Sequence, residues 1–119
     1  MNPHAFTISK VGPALLVSVP EDLDLEGYRS LQLALLRQVQ EQNLRAVVLD
    51  LTAVDVLDET DIHTLIGMVR ACRLMGTQTR VVGLRASLCA ILVDFPESDE
   101  LETRFGVEEA LRELQGSAE

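Results

Sequence analysis

Four carboxylates crowd into seven residues of this chain: Asp55, Asp58, Glu59 and Asp61, with the hydroxyl of Thr60 between the last two. Two or three carboxylates so spaced can bind a divalent cation or share a proton. A hydroxyl among them could instead accept a phosphate. A third use is structural. Asp58 precedes a run of helical periodicity, so its side chain can cap that helix. Glu59 and Asp61 then fall in the first turn, where the positive end of the helix dipole favours each anion by about 0.3–1 kcal/mol. Thr60, close to the same helix start, suits capping as well as modification.

The rest of the chain offers little to make these acids catalytic. No nucleophile–base pair, Gly-rich phosphate loop or metal-ligand set accompanies them. A strand ending in Asp50 and followed by acids is similar to a phospho-acceptor receiver domain. That fold needs a lysine after a later strand to neutralise the phosphoryl group, and the one lysine of this chain is Lys10. No enzyme is expected, and no cofactor. Cys72 and Cys89 form no CxxC pair and sit among apolar residues at helical spacing, which predicts two small buried hydrophobes. His4 is isolated, and His63 reads as a solvated residue in the first turn of the acid-capped helix.

Bulk properties narrow the class further. A chain of 119 residues, 47% hydrophobic and 24% charged, is expected to form one globular domain over residues 1–119. A net charge of −9 leaves no basic footprint for nucleic acid. The apolar runs are too short to cross a bilayer, and the N-terminus lacks the pattern of a signal peptide. A cytoplasmic protein without membrane contact is the expectation.

The elements that must position the acidic loop follow from periodicity. Residues Ala5–Ser9 and Ala14–Val19 read as short strands around the turn chemistry of Val11-Gly12-Pro13. Asp22 or Asp24 can cap a helix carrying Tyr28, Leu31, Leu35 and Val39. Leu33 and Leu36 widen its apolar stripe, which suits either deep burial or an oligomer surface. Ala46–Leu51 suits a buried central strand. Ile62, Leu65, Ile66, Val69 and Cys72 mark the second helix, which Gly76 can end. Thr79–Leu84 is a strand, Ser87–Phe95 a helix broken before Pro96, Leu101–Phe105 a weak strand and Val107–Leu114 a last helix. Strands alternating with helices after an opening hairpin imply an α/β fold: a mostly parallel central sheet with helices packed against it.

The order of these elements and the run VVLDLTAVDVLDETDIHTLIGMVRACRLMGTQTRVVGL resemble a STAS domain, the family of sulphate-transporter tails and anti-sigma-factor antagonists. The matching features are Asp50-Leu51-Thr52 at a strand end, the loop Ala53–Leu57, Asp58 before a helix, Gly76 after it and Gly83-Leu84 after the next strand. Within the family the run is most similar to the small S-type scaffold component of the bacterial stressosome. The resemblance implies a substrate and binding module that is not itself an enzyme. Its implied partners are a GHKL-type serine kinase or an anti-sigma factor, and other STAS proteins in a homo- or hetero-oligomer. Docking would use the surface around the start of the second helix, including Asp55, Asp58 and Asp61. Phosphorylation of a Ser or Thr there adds about −1.5 to −2 charge and releases the partner.

At that acceptor position this sequence carries Glu59, which no such kinase can phosphorylate. Three consequences follow from the resemblance. Glu59 mimics the phosphorylated form; or the acceptor has moved to Thr60, between two carboxylates; or switching is lost, leaving a structural homo-oligomeric scaffold. A STAS subunit of a transport system is a further alternative.

Overall fold

The computed structural model describes residues 6–117. The strands are β1 (Thr7–Val11), β2 (Ala14–Ser18), β3 (Ala46–Asp50), β4 (Gln78–Val82) and β5 (Thr103–Arg104). They lie in one sheet in the order of the chain, with β1 antiparallel to β2 and every later neighbour parallel. The helices are α1 (Leu25–Gln42), α2 (Glu59–Leu74), α3 (Ala86–Leu92) and α4 (Val107–Ser117), with a short 3-10 helix at Pro96–Glu100. This is the α/β architecture that the element order predicts.

Strand alternation sorts the core into two layers. On one face Leu15, Val17, Val47, Leu49 and Val81 meet the buried residues of α1, α2 and α3. On the other, Ala14, Ala46, Val48 and Val82 lie under Ala110 and Leu114 of α4. Small residues on this second face let α4 sit close, and a buried arginine ties it down. Arg80 of β4 pairs with Glu113 of α4 and lies 2.9 Å from Glu102, while Glu113 also accepts from Arg104 Nε at 2.8 Å.

Helix ends obey local chemistry. Of the two candidate caps for α1, Asp24 is the one that acts, accepting the Gly27 N–H at 2.7 Å. Gly76 takes a left-handed φ of +79° just past α2. Leu36 is half-buried against the core, whereas Leu33 on the same helix stays 64% exposed.

Several expectations change, among them the weak strand expected over Leu101–Phe105, which is only Thr103–Arg104. The hairpin extends β1 to Val11, two residues beyond the expected end; the expected first residue of that strand, Ala5, and the isolated His4 lie outside the described residues. Helix α3 stops at Leu92, and Phe95 instead opens the 3-10 helix, packing on the core from there. Cys72 is buried as expected but Cys89 is exposed. Leu88 and Leu92, four apart, take the core side of α3, so the residue one step round the helix from Leu88 turns outward.

Candidate functional site

The acidic loop leaves the carboxyl end of β3, where parallel α/β sheets gather their functional groups. Asp50 closes the strand with an Asx-type turn, its Oδ1 accepting the Thr52 N–H at 2.9 Å and the Thr52 hydroxyl at 2.5 Å. Gly83, just past β4, lies against this turn with φ +77°. A Cβ there would sit 2.8 Å from Thr52 N and 2.9 Å from Asp50 Oδ1, so the close approach of the two strand ends requires glycine.

Beyond the turn the loop is anchored from below and clamped from the side. Leu51, Val54 and Leu57 are buried, while Val56 between the latter two is exposed. Arg85, at the cap of α3, donates from Nε to Thr52 O at 2.9 Å and pairs with the Asp55 carboxylate. Ser87 donates its hydroxyl to Asp55 O at 3.0 Å. Asp55 is therefore turned toward α3, away from the other acids. The sequence reading missed Arg85 and Ser87. Their signal was present: they follow the strand parallel to β3, whose carboxyl end must lie next to the loop.

The remaining acids start α2. The Asp61 N–H donates to Asp58 Oδ1 at 2.7 Å, and the Asp58 N–H donates to Asp61 Oδ2 at 3.2 Å, a reciprocal capping box built from two aspartates. Partial burial, and then the neighbouring Asp58 carboxylate, push the Asp61 carboxyl above its usual range, against the lowering effect of the backbone hydrogen bond. Beneath them the Tyr28 phenol of α1 is buried, and its ionisation is suppressed by that burial and by Asp61 and Asp58.

Glu59 and Thr60 play no part in this cap. Glu59 is the first residue of α2, its side chain 75% exposed and one carboxylate oxygen 3.7 Å from His63 Nε2. His63 is solvent-accessible, as expected, and its ring meets Phe95 edge-on at 6.1 Å. Thr60 is exposed; its carbonyl accepts the Thr64 hydroxyl at 2.9 Å, while capping falls to Asp58 and Asp61. Among the described residues no group of three or more His, Cys, Asp or Glu side chains converges as metal ligands would. Nor is any described helix long and apolar enough to cross a membrane. The arrangement thus separates two jobs: Asp58 and Asp61 hold the helix start rigid, and Glu59 and Thr60 present charge and hydroxyl to solvent.

A mostly parallel sheet opened by a hairpin, with a capped helix start presented at the end of its central strand, defines a small α/β domain class. The sequence matches the STAS domain family over residues 5–110, and the chain belongs to that family. No curated protein matches it. Its fold is similar to that of RsbS from Moorella thermoacetica carrying a serine-to-glutamate substitution, with 23% identity, TM-score 0.85, and coverage of 96% of this chain and 97% of that one. It is also similar to a chain from the molecular architecture of the stressosome, a signal integration and transduction hub (21% identity, TM-score 0.82, 94% and 98% covered). A third likeness is the anti-sigma factor antagonist SpoIIAA in its unphosphorylated form (11% identity, TM-score 0.73, 94% and 99% covered).

Proposed function

We propose that this chain, as one domain over residues 1–119, is a non-enzymatic STAS signalling and scaffold protein. It binds other STAS proteins and a GHKL-type serine kinase or an anti-sigma factor in a stress-response pathway of the stressosome kind. The docking surface centres on the start of α2, and Glu59 stands where such a module would carry its phosphorylatable Ser or Thr. The observation that carries this reading is the exposure of the Glu59 carboxylate at the first position of α2, directly after the Asp58 cap. A charge there meets any partner that approaches the helix start, where the positive end of the helix dipole favours it. A glutamate brings one charge and two oxygens where a phosphate brings about −1.5 to −2 and three, so its mimicry is partial.

The test is phosphate transfer followed by intact mass. With the cognate kinase and ATP, Glu59→Ser should gain one phosphate while the natural chain gains none. A phosphate on the natural chain that Thr60→Ala abolishes would move the acceptor to Thr60 and remove the built-in mimic. Thr60 is exposed, but a phosphate there would stand between Glu59 and Asp61, a repulsion that a partner's arginine would have to offset. A second reading, a scaffold that never switches, draws on the exposed Leu33; it predicts that Glu59→Ser leaves partner affinity unchanged.

A further inference from the structure

The edge of the sheet farthest from the hairpin is β5, and the chain around it reads Leu101-Glu102-Thr103-Arg104-Phe105. The Val81 N–H donates to Glu102 O at 2.9 Å, so in this parallel ladder Glu102 and Arg104 turn their backbone groups toward β4. Thr103 turns its own to the open side. Arg104 reaches Thr103 O at 2.7 Å, which leaves that carbonyl a second lone pair. Beside the strand, α3, the 3-10 helix and β5 enclose an open groove of about 830 Å³, whose lining combines apolar Leu92, Val93, Phe95 and Leu101 with polar Ser98 and Asp99. Val93 on this groove is 79% exposed, and Phe105, one residue past β5, is 94% exposed.

We propose that a second copy of this chain docks on this edge, by antiparallel pairing of the two β5 strands about a two-fold axis at Thr103. The segment is self-complementary about that residue. The register sets Glu102 opposite Arg104 of the partner subunit, and Leu101 opposite Phe105 of the partner subunit, at the groove. Facing threonines exchange both of their outward N–H···O bonds. Glu102 is half-exposed despite its bond to Arg80, so it remains open to a second cation, and the chain of ion pairs from buried Arg80 through the partly exposed Glu113 and Arg104 continues across the axis. Each phenylalanine that enters a groove removes about 150–250 Å² from water. Because the same patch serves both copies, the contact closes and leaves no unpaired β5 edge.

Charge argues against the alternative on α1. A two-fold axis at Leu33 would set exposed Arg29 against exposed Arg37 of the partner subunit, like charge on like. The β5 pairing deepens the scaffold part of the function proposed above, and it does not involve Glu59.

Disulfide trapping in the whole chain tests it, in a Cys89→Ser background because Cys89 is exposed. Thr103→Cys would set two sulfurs across the axis at a Cα separation of about 5.5 Å, within disulfide reach. Under mild oxidation this chain should run as a covalent dimer on a non-reducing gel, and a Leu33→Cys chain should not. By light scattering the natural chain should show twice its 13.1 kDa mass, or an even multiple of it. Phe105→Asp should weaken that association at least tenfold with an unchanged circular dichroism spectrum. Failure of Thr103→Cys to cross-link, or cross-linking through Leu33→Cys, overturns the proposal. An assembly that survives Phe105→Asp also overturns this interface but keeps the scaffold reading, whereas a natural chain that stays monomeric removes both.

Discussion

Asp58 and Asp61 cap each other: each carboxylate accepts the other's backbone N–H, at 2.7 and 3.2 Å. The pair satisfies two groups that every helix start leaves orphaned, and it does so without using Glu59 or Thr60. Charge at the solvent-facing positions can therefore change while the helix start stays fixed.

Asp58→Ala should remove the cap and cost about 1 kcal/mol, lowering the thermal midpoint by roughly 4 °C. Glu59→Ala should lower it by much less, since Glu59 contributes only through the dipole and the exposed His63 contact. Thermal unfolding followed by circular dichroism compares the two; equal losses would mean that the cap is not where the stability lies.

Gly83 carries a positive φ and lies against the Asp50–Thr52 turn. Gly83→Ala should destabilise by about 2 kcal/mol or more, from left-handed strain and the displaced turn together. Urea unfolding measures this, and a neutral outcome would contradict the tight packing of the two strand ends.

The ion network under α4 gives a pH signature. Hydrogen bonds from Arg104 and Arg80 hold the Glu113 carboxyl down to about 2, from an ordinary 4.5. A depressed folded value stabilises above the unfolded value and loses that stabilisation as pH falls from about 4.5 through about 2. Glu113→Gln should therefore unfold at a lower temperature than the natural chain at pH 7, and the gap should close as the pH approaches 2. A gap of constant size across that window would show that Glu113 acts by packing and not by charge.

The two thiols should part company. Cys89 is exposed, while burial pushes the Cys72 thiol up to about 11. An aromatic disulfide reagent at pH 8 should titrate one thiol per native chain quickly and the second only on unfolding. Two fast thiols would indicate that α2 opens readily.

These contrasts mark what periodicity conveys and what it does not. Apolar periodicity, the short continuous apolar run of β3 and the cap chemistry of Asp58 were enough for the order of strands and α-helices, the central strand and the start of α2, because those signals are local. The 3-10 helix carries no such pattern. It is held by distant partners: Arg70 of α2 bonds Glu100 at 2.8 Å through Nε, and Leu101 is buried behind it. The clamp of Arg85 on Asp55 spans thirty residues and becomes visible only once β3 and β4 are neighbours. Cys89 shows the same limit, since an apolar neighbourhood along the chain does not say which side of a short helix faces the core. Glu59 could be named from resemblance, but its exposure and its separation from the cap needed the geometry.

The central proposal is that the Glu59 carboxylate stands in part for a phosphate and weakens kinase docking at the start of α2. Calorimetric titration of the cognate GHKL-type kinase with the natural chain and with Glu59→Ser tests it most directly. The account predicts at least tenfold tighter binding for Glu59→Ser, about 1.4 kcal/mol, with the gain lost once the new serine is phosphorylated. Equal affinity for the two chains would contradict it.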